Sequence, residues 1–246
     1  MIGFSLTRRV WLSATGLLFM LVGGGCGVLS PTNTPQPSFY SLDSAKVEAR
    51  DSINLPRRTP TTGIAAPTLI VNPPHAASGF DSQRIIYTRQ AHNLEYFAHS
   101  EWVDTPARMI APLIVAALEN SGSFRAVVLT PSAAAGDFRL DTEITRLQHD
   151  FSGPASNVRF TLRAYLVDNK TRQVLAWREF DETVAVASES PYGGVVAANR
   201  AVQTVLDKLS SFCTDVAGNW LSKATVVPKR PDASPPQDML NYYKQP

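Results

Sequence analysis

Cysteine is nearly absent from this chain: 246 residues hold only Cys26 and Cys213. That excludes a disulfide-stapled scaffold and any cysteine-rich zinc site. Histidine is scarce too. His75, His92, His99 and His149 form neither a His-Glu-x-x-His run nor a Cys/His spacing, so they read as ordinary loop or surface side chains and no metal is expected. The chain has no Gly-x-Ser-x-Gly elbow and no glycine-rich phosphate loop with its lysine, and Gly193-Gly194 is an isolated pair opening a helical pattern. No catalytic residue and no cofactor is expected, and any ATP hydrolysis falls to a partner. An excess of one charge is also missing, with 23 Lys and Arg against 21 Asp and Glu. Without a basic stripe there is nothing to release counterions from phosphate, so nucleic acid is excluded as a partner.

What is present is concentrated at the amino terminus. Arg8-Arg9 precede an apolar run from Val10 to Val22, and Gly23-Gly24-Gly25 lead into Cys26. A positive start, a short apolar core and a small-residue exit form a secretory signal peptide over residues 1–25. The run falls short of the roughly 20 apolar residues that a membrane-spanning helix needs. Its removal takes two arginines and no acid, so the formal charge drops from +2 to 0. Small residues followed at once by Cys26 resemble a lipobox, although Gly23 stands where such motifs usually carry leucine. That resemblance implies acylation of the Cys26 thiol, and each buried methylene contributes about 0.8 kcal/mol of membrane affinity. Gly27, not Asp, after the cysteine resembles outer-membrane sorting. Thr7-Arg8-Arg9-Val10-Trp11-Leu12 fits a twin-arginine signal and an ordinary positive start equally well. Both routes lead out of the cytoplasm.

Residues 26–37 then read as the lipidated cysteine and a Pro/Thr-rich tether, extended and semi-rigid. Residues 43–66 are polar and Pro-interrupted, a long loop. Residues 224–246 carry five prolines and read as a mobile tail. Between them, 38–223 form one domain.

Within that domain, Phe39-Tyr40-Ser41-Leu42 and Thr68–Val71 are short strands, and 84–89 with 93–98 form a hairpin pair. Asp104-Thr105-Pro106 supplies a capping side chain and a first-turn proline for a helix whose apolar face includes Met109, Ile110, Ile114 and Leu118. Pro112 should kink that helix or delay its start, and Asn120-Ser121-Gly122 ends it. Phe138 to Ile144, Val158 to Leu166 and about Gln173 to Ala187 alternate with period two, three strands of an antiparallel meander. A closing helix starts near Pro191 and carries Val195, Val202, Leu206, Leu209, Phe212 and Trp220 at helical spacing, with Cys213 on the same buried stripe. The expected class is α+β: an antiparallel sheet with two helices packed on one face. Tyr87, Tyr96, Phe97 and Trp102 cluster along the hairpin and its exit and are the candidate partner interface, although alternate strand positions should face inward.

The order of these pieces resembles the ABC-type transport auxiliary lipoproteins, including the lipoprotein of the paraquat-inducible operon. It is carried by Phe39-Tyr40-Ser41-Leu42 after a lipidated tether, a strand closed by Pro73-Pro74, Arg84 to Phe97 leading through Trp102 into the helix at Pro106, the meander, and a helix opened by Pro191-Tyr192. The resemblance covers about residues 38–215. It implies a fold like the amino-terminal domain of TolB and a non-catalytic subunit, homo-oligomeric in one arrangement. Its implied partners are an ABC permease, its ATPase and an MCE-domain periplasmic protein, which move lipid between membranes. The alternative reading is an assembly lipoprotein that positions envelope machinery without handling lipid.

Overall fold

The computed structural model describes residues 36–43 and 66–225. Cys26, the signal peptide, nearly all of the tether, all but the two end residues of the 43–66 loop and nearly all of the carboxy-terminal tail lie outside them.

Among the described residues, nine strands and two long helices make an α+β fold, as the alternation and helical periodicity require. The strands are β1 (Ser38–Tyr40), β2 (Thr68–Val71), β3 (His75–Ala76), β4 (Arg84–Gln90), β5 (Asn93–Trp102), β6 (Ala126–Leu129), β7 (Phe138–Asp150), β8 (Asn157–Asp168) and β9 (Val174–Ala185). The helices are α1 (Pro106–Ser121) and α2 (Pro191–Thr225). Strands β7, β8 and β9 are the antiparallel meander that the period-two pattern predicts.

The rest of the sheet is mixed. β7 is long enough for its other edge to take three short strands in turn: β2 at Phe138–Leu140, β3 at Glu143–Ile144 and β4 at His149–Asp150, all parallel to it. The sheet therefore forks. One arm adds β6 parallel to β2. The other is the β4–β5 hairpin, with β1 laid parallel along β5 as the edge strand. Single-strand periodicity carries no information about which neighbour a strand takes, so the parallel pairings were not visible in the sequence. Helix α1 is the crossover from the β5 arm to β6.

Both helices cover one face. Leu69, Val71, Ile85, Phe138, Leu140, Phe160, Leu162 and Leu166 point from the sheet toward Ile110, Ile114, Leu118, Val202, Val205 and Leu209, all buried. Burying one such aliphatic side chain contributes about 1.5–3 kcal/mol.

Helix α1 starts at Pro106 as expected, but its cap differs. The Thr105 side chain makes no capping bond. Instead the Thr105 carbonyl accepts from Arg108 N and Met109 N, and Asp104 pairs with Arg108 at 3.2 Å. Pro112 lies inside a continuous helix. Both Pro112 and Arg108, whose carbonyl loses its partner, are exposed, so water can satisfy the freed group. Gly122 closes the helix with a left-handed φ of 67°, and its N–H bonds to the Glu119 carbonyl. Helix α2 runs to Thr225, two residues beyond the expected domain end.

Candidate functional site

The hairpin arm splits the candidate interface residues between the two faces of the sheet. Tyr87 and Phe97 point to the helix side, with ring centroids 4.6 Å apart. They join His149 and Phe151, which lie 4.0 Å apart, in a half-buried aromatic cluster near the start of α2. The Tyr87 hydroxyl donates to Glu95 Oε2 at 3.1 Å, and Arg89 Nε donates to Glu95 Oε1 at 2.9 Å. Chiefly through its bonds to Arg89, the Glu95 carboxyl is held below its usual range.

Tyr96 faces the other way and is 39% exposed, with the Arg84 guanidinium 4.9 Å above its ring. Trp102 is only 4% exposed. It also faces the helices and belongs to the core, which removes it from any surface as the fold stands. A bulge between Tyr96 and Glu101 changes the facing along β5, so residues clustered in sequence part in space. Cys26 lies outside the described residues.

The histidines are placed variously. His75, His92 and His99 are exposed. His92 occupies the two-residue turn of the β4–β5 hairpin with φ 66°, a conformation that glycine or a short polar residue usually takes. His149 is buried instead. Its Nε2 is 3.0 Å from Ser156 Oγ, while Nδ1 has no partner. Burial pushes its pKa down to about 4. Because Nδ1 meets no acceptor, the neutral ring with Nε2–H donating to Ser156 is the tautomer that leaves no buried N–H unpaired. No group of three His, Cys, Asp or Glu among the described residues is placed to hold a metal. Cys213 is buried in α2, its thiol pKa raised to about 12 by desolvation.

Sequence reasoning missed three exposed apolar features. Trp177 on β9 is 61% exposed and stacks on Tyr165 with ring centroids 6.3 Å apart. Tyr192, 63% exposed, leans on Tyr40. Phe39 and Val103 are 59% and 51% exposed, and register places them on the open face, because Phe39 sits opposite Glu101 and Val103 is two residues further on. Leu94, two residues before Tyr96, shares that face. An outward Trp opposite a Tyr on a neighbouring strand is a detectable signal only once the pairing is known.

The described residues thus form an α+β domain with a packed core and several exposed apolar side chains. The chain belongs to the family described as ABC-type transport auxiliary lipoprotein component, matching it over residues 53–210. It therefore falls among accessory, membrane-anchored envelope components of transport systems. No curated protein matches it. A crystal structure of a Xanthomonas campestris protein of the DUF330 family is similar at 21% identity and a TM-score of 0.59, covering 76% of this chain and 97% of that one. A second solved structure, of an uncharacterized protein, is similar at 12% identity and TM-score 0.55, covering 73% and 99%. At these identities the likeness shows the shared fold.

Proposed function

We propose that this chain is a non-catalytic accessory subunit of an MCE-type ABC transporter that moves lipid between the inner and outer membranes. It is moored by acylated Cys26 to the periplasmic side of the outer membrane. In this reading residues 1–25 are removed, 26–37 tether the body, 38–223 form the working domain and 224–246 trail from it. The family match over residues 53–210 carries the proposal, and the leader ending in Gly-Gly-Gly-Cys supports the anchor. On the helix side of the aromatic arm, half-buried Tyr87 and Phe97, together with exposed Trp177 on β9, are the side chains offered to the MCE protein or the permease. Aromatic anchors of this kind dominate interface energetics.

The test is affinity purification of the tagged full-length protein from detergent-solubilised membranes. An MCE-domain protein, a permease and an ATPase should co-elute. Recovery of unrelated envelope machinery in their place, with the anchor intact, would overturn this reading in favour of an assembly lipoprotein.

A further inference from the structure

The open face of the sheet is charged over the meander. There Arg163 bridges Glu143 and Glu179 at 3.5 and 2.8 Å, and Arg159 pairs with Asp181 at 2.5 Å. On the β2–β6 arm that face is covered. The loop before β7 crosses it so closely that a Cβ on Gly136 would lie 2.3 Å from Ile70 Cγ1. Apart from the Trp177–Tyr165 pair among those charges, the exposed apolar side chains on the described part of that face gather on the β1–β5–β4 arm: Phe39, Leu94, Tyr96 and Val103, all more than one-third exposed. Arg84 lies over the Tyr96 ring in the same patch.

The geometry points to this face as the seat of the protein on the interfacial layer of a lipid bilayer. The inference rests on the lipid-anchor reading given above. Two aromatic rings, two aliphatic side chains and one guanidinium match that layer, where amphipathic rings sit among headgroups and arginine meets phosphate. Where the folded body begins argues for the same occupant. Strand β1 is the first element among the described residues, and it is also the edge strand that carries Phe39. Twelve residue steps separate Ser38 from Cys26, a contour of at most about 40 Å. The acyl chains and the patch are thus joined by a short leash. That raises the effective concentration of membrane at the patch to the millimolar order, so a patch too small to hold a bilayer alone suffices beside an anchor.

The test uses the full, acylated chain in vesicles of phosphatidylethanolamine and phosphatidylglycerol. Cys26 is consumed by lipid and Cys213 is buried, so Phe39→Cys or Val103→Cys can be labelled singly with an environment-sensitive fluorophore. Val174→Cys, 56% exposed and across β7 from the arm, is the control. Labels at 39 and 103 should brighten several-fold, shift to the blue and be quenched by headgroup-level spin-labelled lipid, while the label at 174 does not respond. Protein that floats with the vesicles while 39 and 103 behave like 174 would overturn the proposal alone. A spectral change that needs no vesicle and grows with protein concentration would assign the patch to a second copy and also overturn it. Failure to float, with Cys26 unmodified by mass, would overturn the anchor reading and this inference together.

Discussion

Gly194 in the first turn of α2 lies so close to the His149 ring that a Cβ on it would sit 2.6 Å from Nδ1. The ring cannot yield, because Phe151 packs 4.0 Å away and Ser156 holds its far nitrogen. Gly194→Ala should therefore destabilise the fold despite the ~1 kcal/mol that alanine gains over glycine in a helix, since overpacking a core site costs about 1–3 kcal/mol. Chemical denaturation should show the loss in wild type. In a His149→Ala background the same substitution should be neutral or stabilising. Additive effects in that double-mutant cycle would refute the contact.

The same ring makes stability depend on pH. Its folded pKa of about 4 lies below the ordinary value of 6.5, so between those values the unfolded chain binds the proton and the native chain does not. Unfolding in that window takes up about one proton from this site, and stability falls as pH drops from 6.5 toward 4. The groups facing the ring are Phe97, Phe151, Ser156 and the glycine of α2, with Asp150 the neighbouring charge, which opposes the shift. His149→Phe should flatten the denaturation midpoint over that range. An unchanged slope would show that other groups carry it.

Asp168 ties the β8–β9 turn to the far end of α2. Its Oδ1 accepts from Lys170 N and Thr171 N at 2.8 Å each, and its Oδ2 from Trp220 Nε1 at 3.2 Å. These donors hold its pKa below the usual carboxylate value, the Thr171 N–H most of all. The contribution is complete above the unfolded pKa and is lost as pH falls through the lowered folded one. Asp168→Ala should cost about 1–3 kcal/mol at neutral pH by leaving donors unpaired. Trp220→Phe should cost less, as it keeps the edge-on packing against Phe138. Equal losses for the two would contradict this division.

Cys213 should resist alkylation in the native protein at pH 8. It is fully buried, and a thiol pKa raised to about 12 leaves almost no thiolate. Labelling should begin only across the unfolding transition. Rapid modification of the native chain would place that helix face in solvent.

Much of this fold was legible because one physical rule fixed each part. Alternation from Val158 to Leu166 can bury only one set of side chains. The spacing from Val195 to Trp220 can lay only one face of α2 on the sheet. The fork at β7 was not legible, because strand partners are chosen by tertiary packing. The bulge in β5 was equally hidden, and it sent Tyr96 outward and Trp102 into the core. Gly193-Gly194 was visible as a pair but not as a reason. The structure supplies one: a Cβ on Gly193 would lie 2.0 Å from the Ser188 carbonyl oxygen, and Gly194 admits His149. His149 itself reads in sequence as one scattered histidine among four.

A water-soluble body held at a membrane by its processed first residue is the premise common to the proposed role and the bilayer-facing patch. Intact-mass analysis of the protein extracted from its native membrane tests it most directly. The account predicts a chain beginning at Cys26 and heavier than its sequence by a diacylglycerol and further acyl groups, a mass gain abolished in Cys26→Ser. A chain with residues 1–25 still attached, or one starting at an unmodified Cys26, would contradict it.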